Sequence, residues 1–275
     1  MINAISVDVE DWYHSLENVR FEDWDKYESR IVCNMERVLG IFREYNVKAT
    51  FFILGYVAEK YPEVVKMISM EKHEIATHGY SHRLIYNLSK SEFASELKKS
   101  IEIIENLSGQ KILGHRAAAW SITERSKWAL DIIFDHGLLY DSSISPFVCY
   151  LYGIPGYRKT PAVIITRNNR DFYEFPLSTI SIFKKEIPAG GGFFTRLYPY
   201  WLLKYNFKKI NSTGNPAGFY FHPWDLDVEQ PRLKLPFRMK RHYYNLDSTE
   251  KKLRNLLTDF KFAPISEVLL KECAQ

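Results

Sequence analysis

Two periodic patterns of hydrophobic and polar positions, one typical of strands and one of helices, alternate along the chain. Short apolar runs and apolar residues at every second position predict β-strands, whereas apolar residues at every third or fourth position predict α-helices. Strand patterns occupy residues 2–9, 48–54, 73–79, 111–116, 138–140, 162–166, 172–176 and 217–222. Helix patterns occupy Ser29 to Tyr45, two short segments after Gly55 with Pro62 opening the second, Ser89 to Leu107, Thr123 to Asp135, and the regions near 197–208 and 248–260.

Helix termini are marked by residues of known capping preference. Ser29 is positioned as the N-cap of the first helix. Ser89 and Glu92 have the spacing of a capping box, and Gly109 follows the end of that helix. Strands alternating with helices predict an α/β fold with a mostly parallel sheet. Because the chain contains no repeat and no linker-like segment, we expect residues 1–275 to form a single domain.

Composition excludes several classes of protein. The 275 residues are 46% hydrophobic and 25% charged, which is typical of a globular domain, and a net charge of +4 is too small to indicate nucleic-acid binding. No segment approaches the ~18 consecutive apolar residues of a membrane span. The chain starts directly in a strand pattern without a signal-like segment, and Cys33, Cys149 and Cys273 lack metal-binding or redox spacing. These features predict a cytoplasmic protein with reduced thiols, and they leave peripheral membrane attachment open.

Reactive side chains occur at or just after the carboxyl ends of predicted strands. Parallel strands that close into a barrel bring these ends to one rim, where barrel enzymes place their active sites. The residues in question are Asp8, Glu10, Asp11, His78, His82, Arg116, Asp141 and His222. Their shared location predicts one functional site built from distant parts of the chain.

Two of these residues, His78 and His82, are four positions apart in the sequence ATHGYSHR. At this spacing two imidazoles lie on one face of a helical turn, and a carboxylate from another strand completes a three-ligand set. No fourth ligand follows nearby, so the set keeps open positions, as catalytic divalent-metal sites do and structural zinc sites do not. The spacing therefore indicates metal-assisted hydrolysis.

The third ligand is either Glu10 or Asp11. Strand alternation places Asp8 and Glu10 on one face and Val9 and Asp11 on the other, which favours Glu10 if the strand stays regular. If the strand ends at Val9, Asp11 is free to turn towards the histidines. Both alternatives remain open at this point.

The order of motifs along the chain resembles a known family. SVDVED, THGYSH, GHRAAAW, YDSS and YFHPWDLD follow one another as in the polysaccharide deacetylases with a NodB-type domain, carbohydrate esterase family 4. GGGFF at 190–194 and HPWDLDVEQPR at 222–232 are similar to the subgroup found with exopolysaccharide biosynthesis loci. The resemblance implies a distorted (β/α)7 barrel with a subgroup-specific extension from about residue 223, and hydrolysis of N-acetyl groups on amino sugars.

The resemblance also implies roles for individual residues. His78 and His82 would bind the metal, most simply Zn²⁺, with Co²⁺, Ni²⁺ or Mn²⁺ as alternatives. Asp8 would be the general base held by Arg116, and His222 the general acid, oriented by Asp141 or, as the second choice, by Asp225. The chain departs from the family at Val9, where relatives often carry a second aspartate, and at Ala118, where they usually carry proline.

Aromatic residues make up 15% of the chain and are candidate platforms for sugar rings. Four lie next to the reactive motifs: Trp12, Tyr80, Trp120 and Trp224. The leading hypothesis is therefore a metal-dependent de-N-acetylase acting on an N-acetylated bacterial polysaccharide or its precursor. The alternatives are a hydrolase of cyclic ureides or other small amides on the same barrel, and a glycan-binding protein without catalysis.

Overall fold

Seven parallel strands form the centre of the molecule, and helices connect most of them. The structure, a computed structural model, describes residues 1–273. The strands are β1 Ile2–Val9, β2 Thr50–Ile53, β3 Glu74–Thr77, β4 Gly114–His115, β5 Tyr140–Asp141, β6 Ala162–Arg167, β7 Arg170–Glu174, β8 Thr179–Ile182, β9 Lys185–Pro188, β10 Gly218–Phe221 and β11 Lys261–Ala263. The helices are α1 Ile31–Glu44, α2 Gly55–Lys60, α3 Pro62–Met70, α4 Lys90–Ser108, α5 Trp128–Asp135, α6 Gly192–Leu197, α7 Tyr200–Asn211, α8 Thr249–Asp259 and α9 Ile265–Cys273.

The parallel strands lie side by side in the order β10, β1, β2, β3, β4, β5 and β7. β6 extends the sheet as an antiparallel strand beside β7, and β11 pairs with the first residues of β1. Since neighbouring strands run in the same direction, their carboxyl ends lie at the same edge. This arrangement confirms the predicted α/β fold with a parallel sheet.

In the part of the chain that the structure describes, no backbone ladder joins β7 to β10, the two ends of the row of parallel strands. The segment after β7 bridges this gap through side chains. The Gly218 N–H donates to Ser178 Oγ at 2.7 Å, and the Phe175 ring packs where a side chain at Gly218 would lie. The structure is therefore consistent with the expected distorted (β/α)7 barrel.

Strand β1 shows how alternation divides the core. Ile5, Val7 and Val9 are buried in the main apolar cluster together with residues of α1. Ala4 belongs to the smaller second cluster, which contains Phe52 and Tyr140 from other strands. Ser6 and Asp8 lie on the same face of β1 as Ala4, and their polar groups are the ones nearest the carboxyl end of the strand on that face.

The structure contains elements that the sequence patterns did not reveal. The β8–β9 hairpin turns at Phe183 and Lys184, both with positive φ, although Asn-Gly and Asp-Gly are the usual signals for such a turn. Helices α6 and α9 and strand β11 were also not predicted. By contrast, the capping box of Ser89 and Glu92 and the left-handed Gly109 at the end of α4 are confirmed.

None of the helices in the described part of the chain combines the length and the apolar character that crossing a bilayer requires. Cys33 and Cys149 are free thiols, and the side chain of Cys273 lies outside the described residues.

Two glycines give a matched test of the packing between β4 and β5. A Cβ on Gly114 would overlap the Tyr140 ring, whose hydroxyl is held by Glu74 Oε1 at 3.0 Å, so we expect Gly114→Ala to lower the free energy of unfolding by about 1–3 kcal/mol. Gly40, within α1, has open space at its Cβ position, and Gly40→Ala is expected to raise that free energy by about 0.5–1 kcal/mol. Urea denaturation of the two variants and the parent measures both changes. Equal effects from the two substitutions would contradict this account of the β4–β5 contact.

Candidate active site

The predicted site residues meet at the carboxyl edge of the sheet. Asp8 lies near the end of β1, His78 directly after β3 and His222 directly after β10. Arg116 follows β4 and reaches the same place. Asp8, Glu10, His78 and Arg116 are buried, and the side chain of His222 is 15% exposed, so these polar groups lie together largely shielded from solvent.

Glu10 lies at the centre of this pocket. Its Oε1 atom is 3.0 Å from His78 Nε2, 3.0 Å from His82 Nε2 and 3.9 Å from His222 Nε2. One ligand atom from each of Glu10, His78 and His82 lies within 4.8 Å of the others. Asp8, Glu10 and His222 form a second such group, so the two groups share Glu10.

The two histidines are brought together by an irregular turn and not by the helical turn that their spacing predicted. β3 ends at Thr77, and the following residues form no helix. His82 has a positive φ of 54°, which few non-glycine residues adopt and which is often found at functional sites. Helix α4 holds this turn, because Ser100 Oγ donates to the Gly79 carbonyl at 2.9 Å and Ser81 Oγ donates to Glu96 at 2.7 Å.

The hydrogen bonds of His78 show that this donor set suits a cation. His78 Nδ1 lies 2.7 Å from the Arg116 carbonyl, which only accepts, so Nδ1 carries a proton. In the neutral ring Nε2 then has a lone pair that faces a carboxylate oxygen of Glu10 at 3.0 Å. A proton or a metal ion between these atoms removes the repulsion. Glu10 Oε2 is also buried, and no described residue donates a hydrogen bond to it. A buried carboxylate oxygen of this kind suits a role as a cation ligand.

The charge of Glu10 is set by opposing effects. Burial alone would raise the pKa of this carboxyl group, but the neighbouring His82, His222 and His78 hold the pKa well below its usual value. Glu10 is therefore ionised in this pocket.

Asp11, the alternative third ligand, points elsewhere. β1 ends at Val9, yet Asp11 turns towards the start of α1, where Oδ2 accepts hydrogen bonds from Arg30 N–H at 2.9 Å and Ser29 Oγ at 2.5 Å. Oδ1 accepts from Trp12 N–H at 3.0 Å. Burial raises the pKa of Asp11 to about 6, although these hydrogen bonds oppose the shift. The N-cap of α1 is Arg30, and the prediction that Ser29 occupies this position was wrong. Asp11 accepts the Arg30 N–H and Ser29 Oγ accepts the Ile31 N–H at 3.4 Å, so both side chains stabilise the N-terminus of the helix.

Asp8 is fixed by Arg116, as the sequence predicted. Arg116 Nη1 donates to Asp8 Oδ1 at 2.6 Å and to Ser6 Oγ at 2.9 Å. The other side of the guanidinium is held by Ser142, through its carbonyl at 3.1 Å from Nε and its hydroxyl at 2.9 Å from Nη2. A guanidinium with this many partners has one orientation, and it leaves the second oxygen of Asp8 facing the pocket.

His222 is oriented by Asp225, the second choice of the sequence analysis. Asp225 Oδ2 lies 3.0 Å from His222 Nδ1 and accepts the His222 backbone N–H at 2.9 Å. Burial lowers the pKa of His222, but Glu10 and Asp225 outweigh that effect and raise it to about 9. The imidazole is therefore protonated at neutral pH in this pocket, with Nε2 towards Glu10.

Asp141, expected to orient His222, instead contacts His115. Asp141 Oδ1 lies 2.7 Å from His115 Nδ1 and accepts from Ser143 Oγ at 2.7 Å. The reason is the strand order, which places β5 beside β4 and away from β10. Glu174 lies next to this pair, and burial together with the Asp141 charge raises the pKa of Glu174 well above its usual value. Asp141 thus stabilises the turn after β5 whose Ser142 holds Arg116.

The candidate sugar platforms are mostly packing residues. Trp12 is buried and donates to the Glu28 carbonyl at 3.0 Å, and Trp120 is buried against Tyr220. Trp224 is also buried and stacks on His222 with 4.8 Å between ring centroids. These three rings present no open face, because other side chains cover them. Tyr80 is half-buried with Lys99 Nζ 3.8 Å above its ring, and its contact with sugar remains a prediction.

The sequence patterns did not point to three residues that lie beside the site, namely His14, Arg196 and His242. His14 is buried near Glu10, His78 and His82, its Nε2 has no hydrogen-bond partner among the described residues, and burial lowers its pKa to about 3. Its spacing of four from Glu10 was the available signal. Arg196 and His242 pack around Asp225 and Trp224. Neither lies at a predicted strand end, so position along the chain did not single them out.

Comparison with known families divides the chain into two parts. Residues 19–133 match the family model described as Polysaccharide deacetylase. Residues 142–270 match a model described as a domain of unknown function, DUF3473. Of the three histidines around Glu10, His78 and His82 lie in the first part and His222 lies in the second, whereas Glu10 itself precedes both matched parts.

Two curated relatives are peptidoglycan deacetylases. The peptidoglycan deacetylase of Helicobacter pylori is 34% identical over 108 residues, which are 39% of this chain and 36% of that protein. The peptidoglycan-N-acetylglucosamine deacetylase of Bacillus cereus is 38% identical over 96 residues, 34% of this chain and 35% of that protein. The matched region thus spans about a third of each relative.

A solved structure from Mycobacterium smegmatis, described as a polysaccharide deacetylase, has the same fold. It superposes with a TM-score of 0.71 at 20% sequence identity, covering 100% of this chain and 90% of its own. This similarity agrees with the α/β fold described above.

Glu10 and Asp11, which follow β1, are expected to differ in their effects on Zn²⁺ affinity and on stability. Glu10→Gln is expected to lower Zn²⁺ affinity by at least ~100-fold, since a ligand charge is lost, with little change in stability. Asp11→Asn is expected to lower the free energy of unfolding by about 0.5–2 kcal/mol through the weakened N-terminus of α1, with Zn²⁺ affinity retained. Competition titration against a chelator and urea denaturation measure the two quantities. If Asp11→Asn lost Zn²⁺ binding and Glu10→Gln kept it, Asp11 and not Glu10 would be the third ligand.

Proposed function

We propose that this chain, through the polysaccharide deacetylase domain that it carries, is a metal-dependent hydrolase that removes N-acetyl groups from amino sugars of a polysaccharide or its precursor. The family match and both curated relatives support a hydrolase acting on an amide. The observation that carries the proposal is the pair of three-residue groups sharing Glu10. Glu10, His78 and His82 would form the ligand set of the metal ion. Asp8 and His222, which group with Glu10, would supply the general base and the general acid.

His78, His82 and Glu10 would hold the metal ion. Two imidazole nitrogens and one carboxylate oxygen with open positions suit Zn²⁺, and Co²⁺, Ni²⁺ and Mn²⁺ accept the same ligands. When bound, such an ion supplies Lewis acidity for the acetyl carbonyl and a water molecule of lowered pKa. His78 is prepared for this role, since its Nδ1–H is fixed by the Arg116 carbonyl and its Nε2 is turned to the pocket.

Asp8 would take the proton of the attacking water. Arg116 Nη1 donates to both Asp8 Oδ1 and Ser6 Oγ, and these hydrogen bonds limit the directions in which the Asp8 carboxylate can face. General bases of this kind typically contribute 10²–10⁴-fold to the rate. As the water oxygen bonds to the acetyl carbon, its proton passes to Asp8.

His222 would give the proton that the leaving nitrogen needs. An amine anion is a very poor leaving group, so the C–N bond breaks only as nitrogen is protonated. The Nε2 atom of His222 faces Glu10, Asp225 fixes the Nδ1–H, and in the metal-free pocket the charges of Glu10 and Asp225 raise the pKa of His222 to about 9. The products are acetic acid, which ionises to acetate, and the free amino sugar. Asp8 has then gained one proton and His222 has lost one, and proton exchange with solvent restores both groups.

The substrate would be an N-acetylated glycan. The two curated relatives are named for peptidoglycan, and the motifs GGGFF and HPWDLDVEQPR resemble the exopolysaccharide subgroup. We propose an exopolysaccharide or its precursor as the substrate, and a cytoplasmic location remains a prediction.

The function is tested by acetate release from N-acetylglucosamine oligomers. We expect release that disappears with chelator, returns with Zn²⁺ and is absent in His78→Ala. Asp8→Asn is expected to keep Zn²⁺ while lowering kcat by ~10²–10⁴-fold, since only the base is lost. Coupled-enzyme detection of acetate measures both.

His136→Ala is the matched control, because the imidazole of this histidine contacts the Ile132 carbonyl at the end of α5 and belongs to neither of the groups that share Glu10. Its activity should equal that of the parent. Zn²⁺ binding without acetate from any glycan, but with hydrolysis of a cyclic ureide, would replace the proposal by the small-amide alternative. Glycan binding with no metal bound would leave the non-catalytic alternative.

A further inference from the structure

The imidazole of His222 is one member of a stack of three rings. Trp224 lies parallel to it, with 4.8 Å between centroids and 16° between planes, and His242 covers the other face of Trp224 at 4.1 Å and 23°. His242 belongs to residues 237–244, a segment that follows β10 by about 15 residues and that we call the covering segment. Its ring is buried, and burial lowers the pKa of His242 to about 3, so it packs as a neutral ring.

Arg196 of α6 joins the covering segment to Asp225. Its side chain is only 2% exposed, and Nη1 donates to the carbonyls of Arg241 at 3.1 Å, His242 at 2.5 Å and Tyr244 at 3.1 Å. On its other side, Nε lies 3.1 Å from Asp225 Oδ1. The Nε–H is not directed at that oxygen, so this contact is an ion pair and not a hydrogen bond.

Asp225 therefore stands between two cationic side chains. One oxygen faces Arg196 and the other binds the backbone and ring nitrogens of His222. Asp225 is completely buried, and a buried carboxylate without a cation is strongly unfavourable. Removal of Arg196 would leave Asp225 with His222 alone, and it would also free the carbonyls that keep His242 over Trp224.

We propose that Arg196 is a positioning residue for the general acid, which fixes the direction of the His222 ring through Asp225 and through the Trp224–His242 stack. This inference rests on the proposed function. It also gives a role to the residues matched by the model of unknown function, 142–270, which contain Arg196, Asp225 and the covering segment. In this view that region completes the active site begun by residues 8–116.

Leaving-group dependence separates this role from a purely structural one. Arg196→Met is expected to lower kcat for N-acetylglucosamine oligomers by ~10-fold or more with KM changed little, because the departing nitrogen requires a well-aimed acid. Hydrolysis of 4-nitrophenyl acetate should change by less than ~3-fold, because its phenolate leaves without protonation. Arg196→Lys keeps the ion pair with Asp225 and should recover part of the loss.

Arg254→Met is the matched control, because Arg254 is a partly exposed arginine that pairs with Glu44 and Glu250 on the surface. It should affect neither substrate. Equal losses on the amide and the ester in Arg196→Met, or no loss on either, would overturn the proposal. If the methionine variant fails to fold, as judged by circular dichroism, the same comparison with Arg196→Lys decides, since any loss must again be confined to the amide.

A second readout does not depend on the substrate. In ¹⁵N-labelled protein with Zn²⁺, the ring nitrogens of His222, assigned with His222→Asn, should shift in Arg196→Met in the same direction as in Asp225→Asn. Unchanged His222 resonances would overturn the positioning role. If the parent releases no acetate from any glycan, the proposed function fails, whereas this spectrum still decides the role of Arg196.

Discussion

The structure of the site depends on one buried carboxylate, Glu10, surrounded by three imidazoles. A buried carboxylate in this position is tolerated only when groups that can carry or bind positive charge lie around it. The turn after β3 supplies His78 and His82, and the residue after β10 is His222. The same requirement explains why the residues come from distant parts of the sequence. Only the carboxyl edge of a parallel sheet brings such separate strand ends within a few ångströms of one another.

Around Glu10 the charges alternate in sign. Arg116 neutralises Asp8 on one side, and on the other Arg196 faces Asp225, which in turn holds His222. Asp8 is thus held by Arg116, whose other contacts are the Ser142 carbonyl and hydroxyl and Ser6 Oγ, and His222 is held by Asp225, which also accepts the His222 backbone N–H. This arrangement fixes side chains that would otherwise rotate freely, and the proposed amide hydrolysis requires such fixed orientations.

The sequence predicts most of the strands, and the ends of these strands bring together six of the eight reactive residues, whereas Asp11 and Asp141 turn to other partners. The resemblance to a known family also implies the pairing of Arg116 with Asp8, which the structure contains. The sequence does not identify the partner of His222, because that depends on strand order: β5, which carries Asp141, lies beside β4, while Asp225 lies on the turn that follows β10 itself. Similarly, the conformation of the turn from His78 to His82 depends on contacts with α4, and the burial of Trp12 and Trp224 depends on segments that no local pattern connects to them.

The pairing of β1 has a consequence for synthesis of the chain. β1 is made before every other strand that the structure describes, whereas two of its neighbours, β10 and β11, are among the last of them. Until about residue 221 has been made, residues 4–7 of β1 have no partner at the edge that β10 covers, and contacts of such long sequence separation form slowly. An unfinished chain therefore exposes an apolar strand edge that favours aggregation, so assembly of this protein is expected to rely on protection of β1 during translation.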